Sequence, residues 1–512
     1  MLICSNGRKN QVGLAICRQG GEHAEAAVRR NPPKSPLPHP TDLSPAGSGG
    51  LLGSLWSSVG GDGSVGGAGR LTVGYVTSHF TSSSIGREML FLLGSHLASA
   101  IETRCFGLNA DDGSWLQHTW RSHIALACHK FEDVSALDDE AAAGAINRHQ
   151  VHVLIDLNGW SGGNRVQVIS RRPAPIQVNY KNWVASAGIP ALVYNIGDLV
   201  VSPPEFQDDY TESMVLVANS YFISGHRYQY LLDHRVQHAS QVQASAEERG
   251  KAREEHGLPR DQFIVANFTN LDKLEPRLWT EWVGLLARHP RAALWLQKYP
   301  PAKAARVYQM AKEHSDVDMT RLVMTPFFKS DHHIGIKALA DVFVDNPTYN
   351  AHSTAMDTLW GALPLVSLPE EKMAARVGAS LLAALHSSWG VVRTLADMSA
   401  VVERLMKRPR QLRRLRLAME NARHSAPLFD TVRGVRNLET SLRLMWEAHV
   451  ADTSGRGGRH RPHIIAGDVG PISATQSYLA SPRAQQGRAE RDALEAKLFA
   501  MRVETTDAES IS

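Results

Sequence analysis

Four short stretches gather residue types that handle anions. The densest is Asn346-Pro-Thr-Tyr-Asn-Ala-His-Ser-Thr-Ala-Met-Asp357, which follows the apolar run DVFVD at 341–345. Met356, Leu359 and Trp360 then begin an apolar stripe at helical spacing, which places His352, Ser353 and Thr354 at a helix N-terminus. Free N–H groups and the helix dipole make such a terminus a binding place for an anion, and a diphosphate would suit it. A plainer role is also open. Thr354 followed by Asp357 resembles a capping box, with Asp in place of the usual Glu.

The second stretch is Asn267-Phe-Thr-Asn-Leu-Asp-Lys273. Lys273 could neutralise a phosphate and Asn270 could donate an amide hydrogen bond to it. The bland alternative is a solvated loop lysine. The third, Asp156-Leu-Asn-Gly-Trp-Ser-Gly-Gly-Asn-Arg165, has glycines that permit close backbone approach to a ligand, or that simply make a turn. In the fourth, Arg171-Arg-Pro-Ala-Pro-Ile-Gln177, two prolines stiffen the approach to a strand. Cys4, Cys17, Cys105 and Cys128 form no CxxC pair, so neither a zinc site nor a redox motif is suggested. Scattered thiols fit a reducing compartment better than a disulfide framework.

Residues placed after apolar runs need strands to carry them. Such runs occur at 71–76 (LTVGYV), 151–157 (VHVLIDL), 263–268 (FIVANF), 292–296 (AALWL), 322–325 and 341–345, alternating with helical patterns such as 278–286. Alternating strand and helix predicts parallel sheets covered by helices on both faces. Residues 1–69 hold a Pro/Gly/Ser-rich stretch and are read as a disordered tail and linker. Two α/β blocks follow at 70–235 and 256–425, joined by a polar linker at 236–255. A helix at 426–449 follows, then a mostly disordered tail at 450–512. Residues 407–416 (KRPRQLRRLR) keep apolar residues at helical spacing and read as a solvated helix face.

The chain has 512 residues, 43% hydrophobic and 21% charged, with a net charge of +4. That length implies more than one domain. The small net charge provides no strong field for nucleic acid. No apolar run reaches the ~18 residues that would span a bilayer. The expected site is therefore cytoplasmic or nuclear, with an organelle transit peptide left open.

The four stretches resemble, in the same order, the catalytic region of the O-GlcNAc transferase/SPINDLY family, glycosyltransferase family 41. RRPAPIQV at 171–178 is similar to its RPAPIQ signature, and NFTNLDKLEP at 267–276 to its NFNQLYKIDP-type loop. LADVFVDNPTYNAHSTAMDTLWGALPLVSLP at 339–369 resembles its LADxxLDxxxxNxHTTxxDxLWxGxPxVTxP block, and AARVGASLL at 374–382 its ASRVAASLL. The resemblance spans about 70–449.

It implies an α/β fold of GT-B type, with two Rossmann-like domains facing a cleft and the last helix returning to the first domain. It implies an inverting, metal-independent transfer of GlcNAc from UDP-GlcNAc to Ser or Thr hydroxyls of a protein acceptor. No cofactor is expected, and the charge and apolar runs above predict neither a nucleic-acid nor a membrane partner. The alternatives are a protein O-fucosyltransferase using GDP-fucose, or a catalytically silent nucleotide-sugar binder. By resemblance Lys273 and Asn270 meet the diphosphate, and Ser353 and Thr354 donate from the helix N-terminus. Asp357 accepts from the ribose, His333 lies against the base, and His352 lies near the sugar-phosphate. His129 lies near the sugar and, with Lys273, is assigned to catalysis. The chain departs from the family at Ser83, where a proposed base histidine is expected, with His79 nearest. It departs again at Ile336, where animal enzymes have a basic residue. The family's tetratricopeptide array is not in these 512 residues.

Overall fold

The computed structural model describes residues 11–30, 37–39, 70–230, 244–313, 318–327, 333–453 and 462–470. Two parallel sheets organise them. The first has the order β13-β7-β6-β5-β4-β1-β2-β3. Its strands are β1 (Leu71–Thr77), β2 (Ile101–Gly107), β3 (Lys130–Asp133), β4 (Val153–Asp156), β5 (Ile176–Asn179), β6 (Tyr194–Asp198), β7 (Ser213–Val217) and β13 (Ile464–Ile465). The second has the order β10-β9-β8-β11-β12, from β8 (Phe263–Asn267), β9 (Ala292–Gln297), β10 (Leu322–Thr325), β11 (Val342–Val344) and β12 (Leu365–Val366). Strands β4, β5, β6 and β9 are buried at every position, as parallel strands covered on both faces must be.

Each sheet reverses its winding once, between β1 and β4 in the first and between β8 and β11 in the second. Open α/β sheets bind ligands beyond the carboxyl ends of the strands at such a switch point. The stretches beginning at Asp156, Asn267 and Asn346 all leave strands at these two places. The domains also bond to each other. Ser380 Oγ donates to Asp198 Oδ2 at 2.7 Å, and Arg376 Nε donates to the Val200 carbonyl at 2.6 Å. The Thr431–Thr453 helix packs on the first sheet, where Glu439 holds His96 at 2.9 Å and Trp446 stacks edge-on to His152.

Several composition-based readings are corrected. Residues 11–30, expected in a disordered tail, form a helix that packs on the Val166–Ser170 helix. Ala24 is buried there, and Glu25 pairs with Arg172 at 2.9 Å. The Pro38 carbonyl also accepts from Asn147 Nδ2. Half of the expected 236–255 linker is the Ala246–Glu255 helix, started by a capping box of Ser245 and Glu248. It belongs to the second domain: Arg249 and Arg253 bind Asp341 at 2.9 and 2.8 Å and donate to the Leu339 carbonyl. Its anchors are arginines rather than an apolar stripe, which is why its composition reads as a linker.

Within the expected 450–512 tail, β13 adds an edge to β7, and His463 Nδ1 accepts from Met214 N. The rest of both tails lies outside the described residues. In the basic stretch, Arg408, Arg410, Arg413 and Arg414 are exposed as expected, but Arg416 is buried and donates to the Ala338 and Ala340 carbonyls. Cys105 and Cys128, expected as free thiols, form a disulfide. The intervening helix folds back along β2 and brings their Cα atoms to 6.4 Å, a proximity that spacing in sequence conceals.

Candidate donor site at the second switch point

Beyond β8 the chain makes a single helical turn, Leu271–Lys273, capped by Asn270, whose side-chain oxygen accepts from Asp272 N at 2.8 Å. That commits the Asn270 side-chain oxygen to the turn and leaves its amide nitrogen outside this cap. The turn aims Lys273 inward. Its Nζ donates to the Asn350 carbonyl at 3.1 Å and stands 3.7 Å from the centroid of the Tyr349 ring. Burial lowers its pKa to about 8, against the opposing pull of the Asp345 carboxylate. Burial raises Asp345 to about 7, while the Ala351 and Asn346 N–H groups and Lys273 favour its charged form. Lys273 is therefore not a solvated loop lysine.

Beyond β11 the Ser353–Trp360 helix begins at Ser353, with His352 as its N-cap residue and no side-chain cap. The capping-box alternative fails, because Thr354 lies inside the helix and Asp357 turns elsewhere. Burial and the nearby Lys273 lower the His352 pKa to about 3, so this imidazole is neutral near pH 7. Its ring stacks on Tyr349 at 5.1 Å, and its Nε2 has no hydrogen-bond partner within the protein.

Asp357 collects three cation-capable groups. His226 Nε2 meets Oδ1 at 3.0 Å, while His333 Nε2 and Lys337 Nζ meet Oδ2 at 3.1 and 3.0 Å. Burial opposes its ionisation, but Lys337, His333 and His226 outweigh that and hold the carboxyl well below its usual range. Lys273, Asn270, His352, Ser353, Thr354, Asp357 and His333 thus share the carboxyl edge of the second sheet and the helices leading from it. Lys337 stands beside Ile336, where the sequence lacks the expected basic residue, and its charge is directed at Asp357.

His129 is not with them. It directly precedes β3, at the amino end of an edge strand, on the opposite rim from the carboxyl ends where ligands bind. Its Nδ1 accepts from Thr103 N at 3.1 Å, and the residue is exposed. Its assignment to catalysis near the sugar is withdrawn. Ser83 caps the Ser84–Gly94 helix, accepting from Gly86 N and donating to the His79 carbonyl. His79, at the carboxyl end of β1, lies 3.3 Å from Ser161 Oγ, and burial lowers its pKa. The third stretch forms the first switch point, where Asn158 Oδ1 accepts from Ser78 N and Asp156 accepts from Asn158 N and Gly159 N. The fourth is structural: buried Gln177 donates to the Ile169 and Ala191 carbonyls.

Sequence reasoning missed Glu88, Lys181, His226 and Lys337. Ser353 Oγ donates to Glu88 Oε1 at 2.7 Å across the cleft, and Lys181 Nζ lies 2.9 Å from Glu88 Oε2. One signal was available. Glu88 falls at helical spacing between Ile85 and Leu92, on a buried apolar face where a carboxylate needs a reason. Nothing comparable marks His226, which lies beyond β7 and far from Asp357 in sequence.

Among the described residues no group of three or more His, Cys, Asp or Glu side chains is arranged to hold a metal ion, and no helix is long and apolar enough to cross a membrane.

The family model described as glycosyl transferase family 41 matches residues 62–252 and 232–438. The chain is 33% identical over 396 residues to the Arabidopsis thaliana protein named probable UDP-N-acetylglucosamine–peptide N-acetylglucosaminyltransferase SEC, covering 77% of this chain and 39% of that protein. It is 26% identical over 476 residues to the Caenorhabditis elegans UDP-N-acetylglucosamine–peptide N-acetylglucosaminyltransferase, covering 74% and 41%. It therefore spans about two fifths of the length of these relatives. Among solved structures, a mutant Thermobaculum terrenum O-GlcNAc transferase matches with a TM-score of 0.68 over 85% of this chain and 75% of that one, at 22% identity. Anabaena HepE, solved with UDP and glucose, matches at 0.50 over 73% and 100%, at 10% identity. These two likenesses carry the GT-B fold, two parallel-sheet α/β domains. The sequence match covers most of both domains, and the chain belongs to glycosyl transferase family 41.

Proposed function

We propose that this chain transfers GlcNAc from UDP-GlcNAc to Ser or Thr hydroxyls of proteins, inverting the anomeric centre. The observation that carries the reading is the pairing of Lys273 with a helix N-terminus that has no side-chain cap, both at the second switch point. A nucleoside diphosphate is the leaving group of such a transfer, and its negative charge grows as the sugar bond breaks. A positioned ammonium and the free N–H groups at Ser353 and Thr354 stabilise that growing charge more than the ground state. With these groups meeting the diphosphate, the reaction needs no metal. Asp357 accepts from the donor's ribose, in exchange for one of its present histidine partners. His333 flanks the base. The named relatives act, by their names, on UDP-N-acetylglucosamine and peptides, which supports this donor and this acceptor class.

A second reading, a nucleotide-sugar binder without turnover, is favoured by Ser83. Its hydroxyl is committed to a helix cap, and an unperturbed serine cannot serve as a general base near neutral pH. His79, lowered in pKa by burial, is the imidazole that the carboxyl end of β1 offers in its place. The test is release of nucleotide from UDP-GlcNAc, UDP-glucose and GDP-fucose, with and without Ser/Thr peptides. Peptide-dependent release from UDP-GlcNAc alone is expected. Preferential release from GDP-fucose would move the protein to O-fucosyl transfer, and tight donor binding without release would establish the silent binder.

A further inference from the structure

The contact between Glu88 and Ser353 is a direct bond from the first domain to the donor end of the second. Glu88 is 7% exposed, on the face of the Ser84–Gly94 helix that also buries Ile85, Met89 and Leu92. A carboxylate in such a place is costly unless it is paired. Its Oε1 is hydrogen-bonded, while Oε2 has an ion-pair contact but no hydrogen-bond partner. Oε2 lies 2.9 Å from Lys181 Nζ, whose side chain is 1% exposed, and Oε1 accepts from Ser353 Oγ at 2.7 Å. Lys181 is fixed in turn by the Ile223 carbonyl at 3.0 Å and the Phe222 ring at 4.2 Å. Gly86 presses the start of the Glu88 helix against the preceding loop so closely that a Cβ there would stand 2.0 Å from the Thr81 carbonyl oxygen. The carboxylate is therefore delivered from a rigid support.

A serine hydroxyl has one proton to donate. Ser353 gives it to Glu88, at a helix terminus whose N-cap residue supplies no side-chain acceptor. A phosphate oxygen drawn to the same positive end competes for that proton and meets a like charge. We propose that Glu88 is a positioning residue of the donor site. It holds the Ser353 hydroxyl, and an arriving diphosphate displaces it from Ser353 onto Lys181 alone. The inference rests on the reading that a diphosphate binds at the Ser353 helix terminus. Lys181 compensates the Glu88 charge in both arrangements, so the exchange costs one hydrogen bond and strands no ion. Arrival of the donor is thereby coupled to the bond that joins the two domains.

The experiment is calorimetric titration of UDP into the full chain, the Glu88→Gln, Ser353→Ala and Lys273→Met variants and the Glu88/Ser353 double variant, each beside a thermal melt. Glu88→Gln keeps the shape and removes the competing charge, so UDP should bind about three- to thirtyfold tighter. The donor KM should fall without a rise in kcat, a split that a purely structural role would not produce. On the Ser353→Ala background the gain should shrink, because the contested hydroxyl is gone. If Glu88→Gln does not fold, the decision passes to Glu88→Asp. Its carboxylate keeps a charge opposite Lys181 and, one methylene shorter, draws back from Ser353, so it should also tighten UDP binding. Unchanged or weaker UDP binding in the folded Glu88 variant, with wild type binding and Lys273→Met impaired, overturns the inference and leaves the phosphate site standing. Failure of every protein to bind UDP overturns the site reading and this inference together.

Discussion

Lys273 is an ammonium with built-in neighbours: the Asn350 carbonyl, the Tyr349 ring and the Asp345 carboxylate. Lys273→Met keeps much of the stem against Tyr349 and removes the charge. Turnover should fall about 10²–10³-fold, the usual effect of losing one group that stabilises developing negative charge. Stability should fall by only about 1–3 kcal/mol, the scale of one hydrogen bond to a charged group. Parallel kinetics and melts check this, and near-normal turnover would remove Lys273 from catalysis. With its pKa lowered to about 8, Lys273 loses its proton as pH rises through that value. Donor kcat/KM should therefore decline above about pH 8, and the decline should be absent in Lys273→Met. Asp357 works in the opposite direction. Its carboxyl is held below the usual range, so its cluster with Lys337, His333 and His226 contributes stability that is fully present above the unfolded value of about 4. That contribution is lost as pH falls through the native value. Asp357→Asn should destabilise the protein at pH 7 and flatten the acid side of a stability–pH curve. An acid limb as steep as that of wild type would contradict the cluster's role.

At the scale of elements, what was legible depended on apolar periodicity. Strands β1, β8, β9, β10 and β11 and the Pro276–Arg288 and Thr431–Thr453 helices stand where short apolar runs and 3.6-residue patterns place them, within a few residues. Elements anchored by other means were not legible. The Ala246–Glu255 helix holds the second domain through Arg249 and Arg253, so its charge reads as a linker. The Gln11–Arg30 helix docks through Ala24 and the Glu25–Arg172 pair, a contact whose partner lies far along the chain. Removal of residues 1–30 should therefore lower the melting temperature and speed hydrogen exchange in the Val166–Ser170 helix. Identical melts and exchange with and without the segment would return it to the status of a tail.

At the scale of the whole molecule, the site is a property of two sheets brought carboxyl edge to carboxyl edge. Lys273 and the Ser353 terminus could be read as an anion site because each follows its own strand closely. Glu88 and His226 could not, because their partners Ser353 and Asp357 belong to the other domain, and Lys181 could not, because its partner Glu88 lies far from it along the chain. His129 shows the converse error: a matching residue in the right order came to the wrong rim of the sheet. If Lys273 and the helix terminus meet the diphosphate's charge, transfer should persist in excess EDTA. Full loss restored by manganese would contradict that. The most direct test of the central claim is steady-state transfer of labelled GlcNAc from UDP-GlcNAc to a Ser/Thr peptide, measured for wild type beside Lys273→Met, with UDP binding and thermal melts on both. The account predicts peptide labelling by wild type and its loss by about 10²–10³-fold in a variant that still folds. Equal labelling by the two proteins, or no labelling by a wild type that binds UDP tightly, would contradict it.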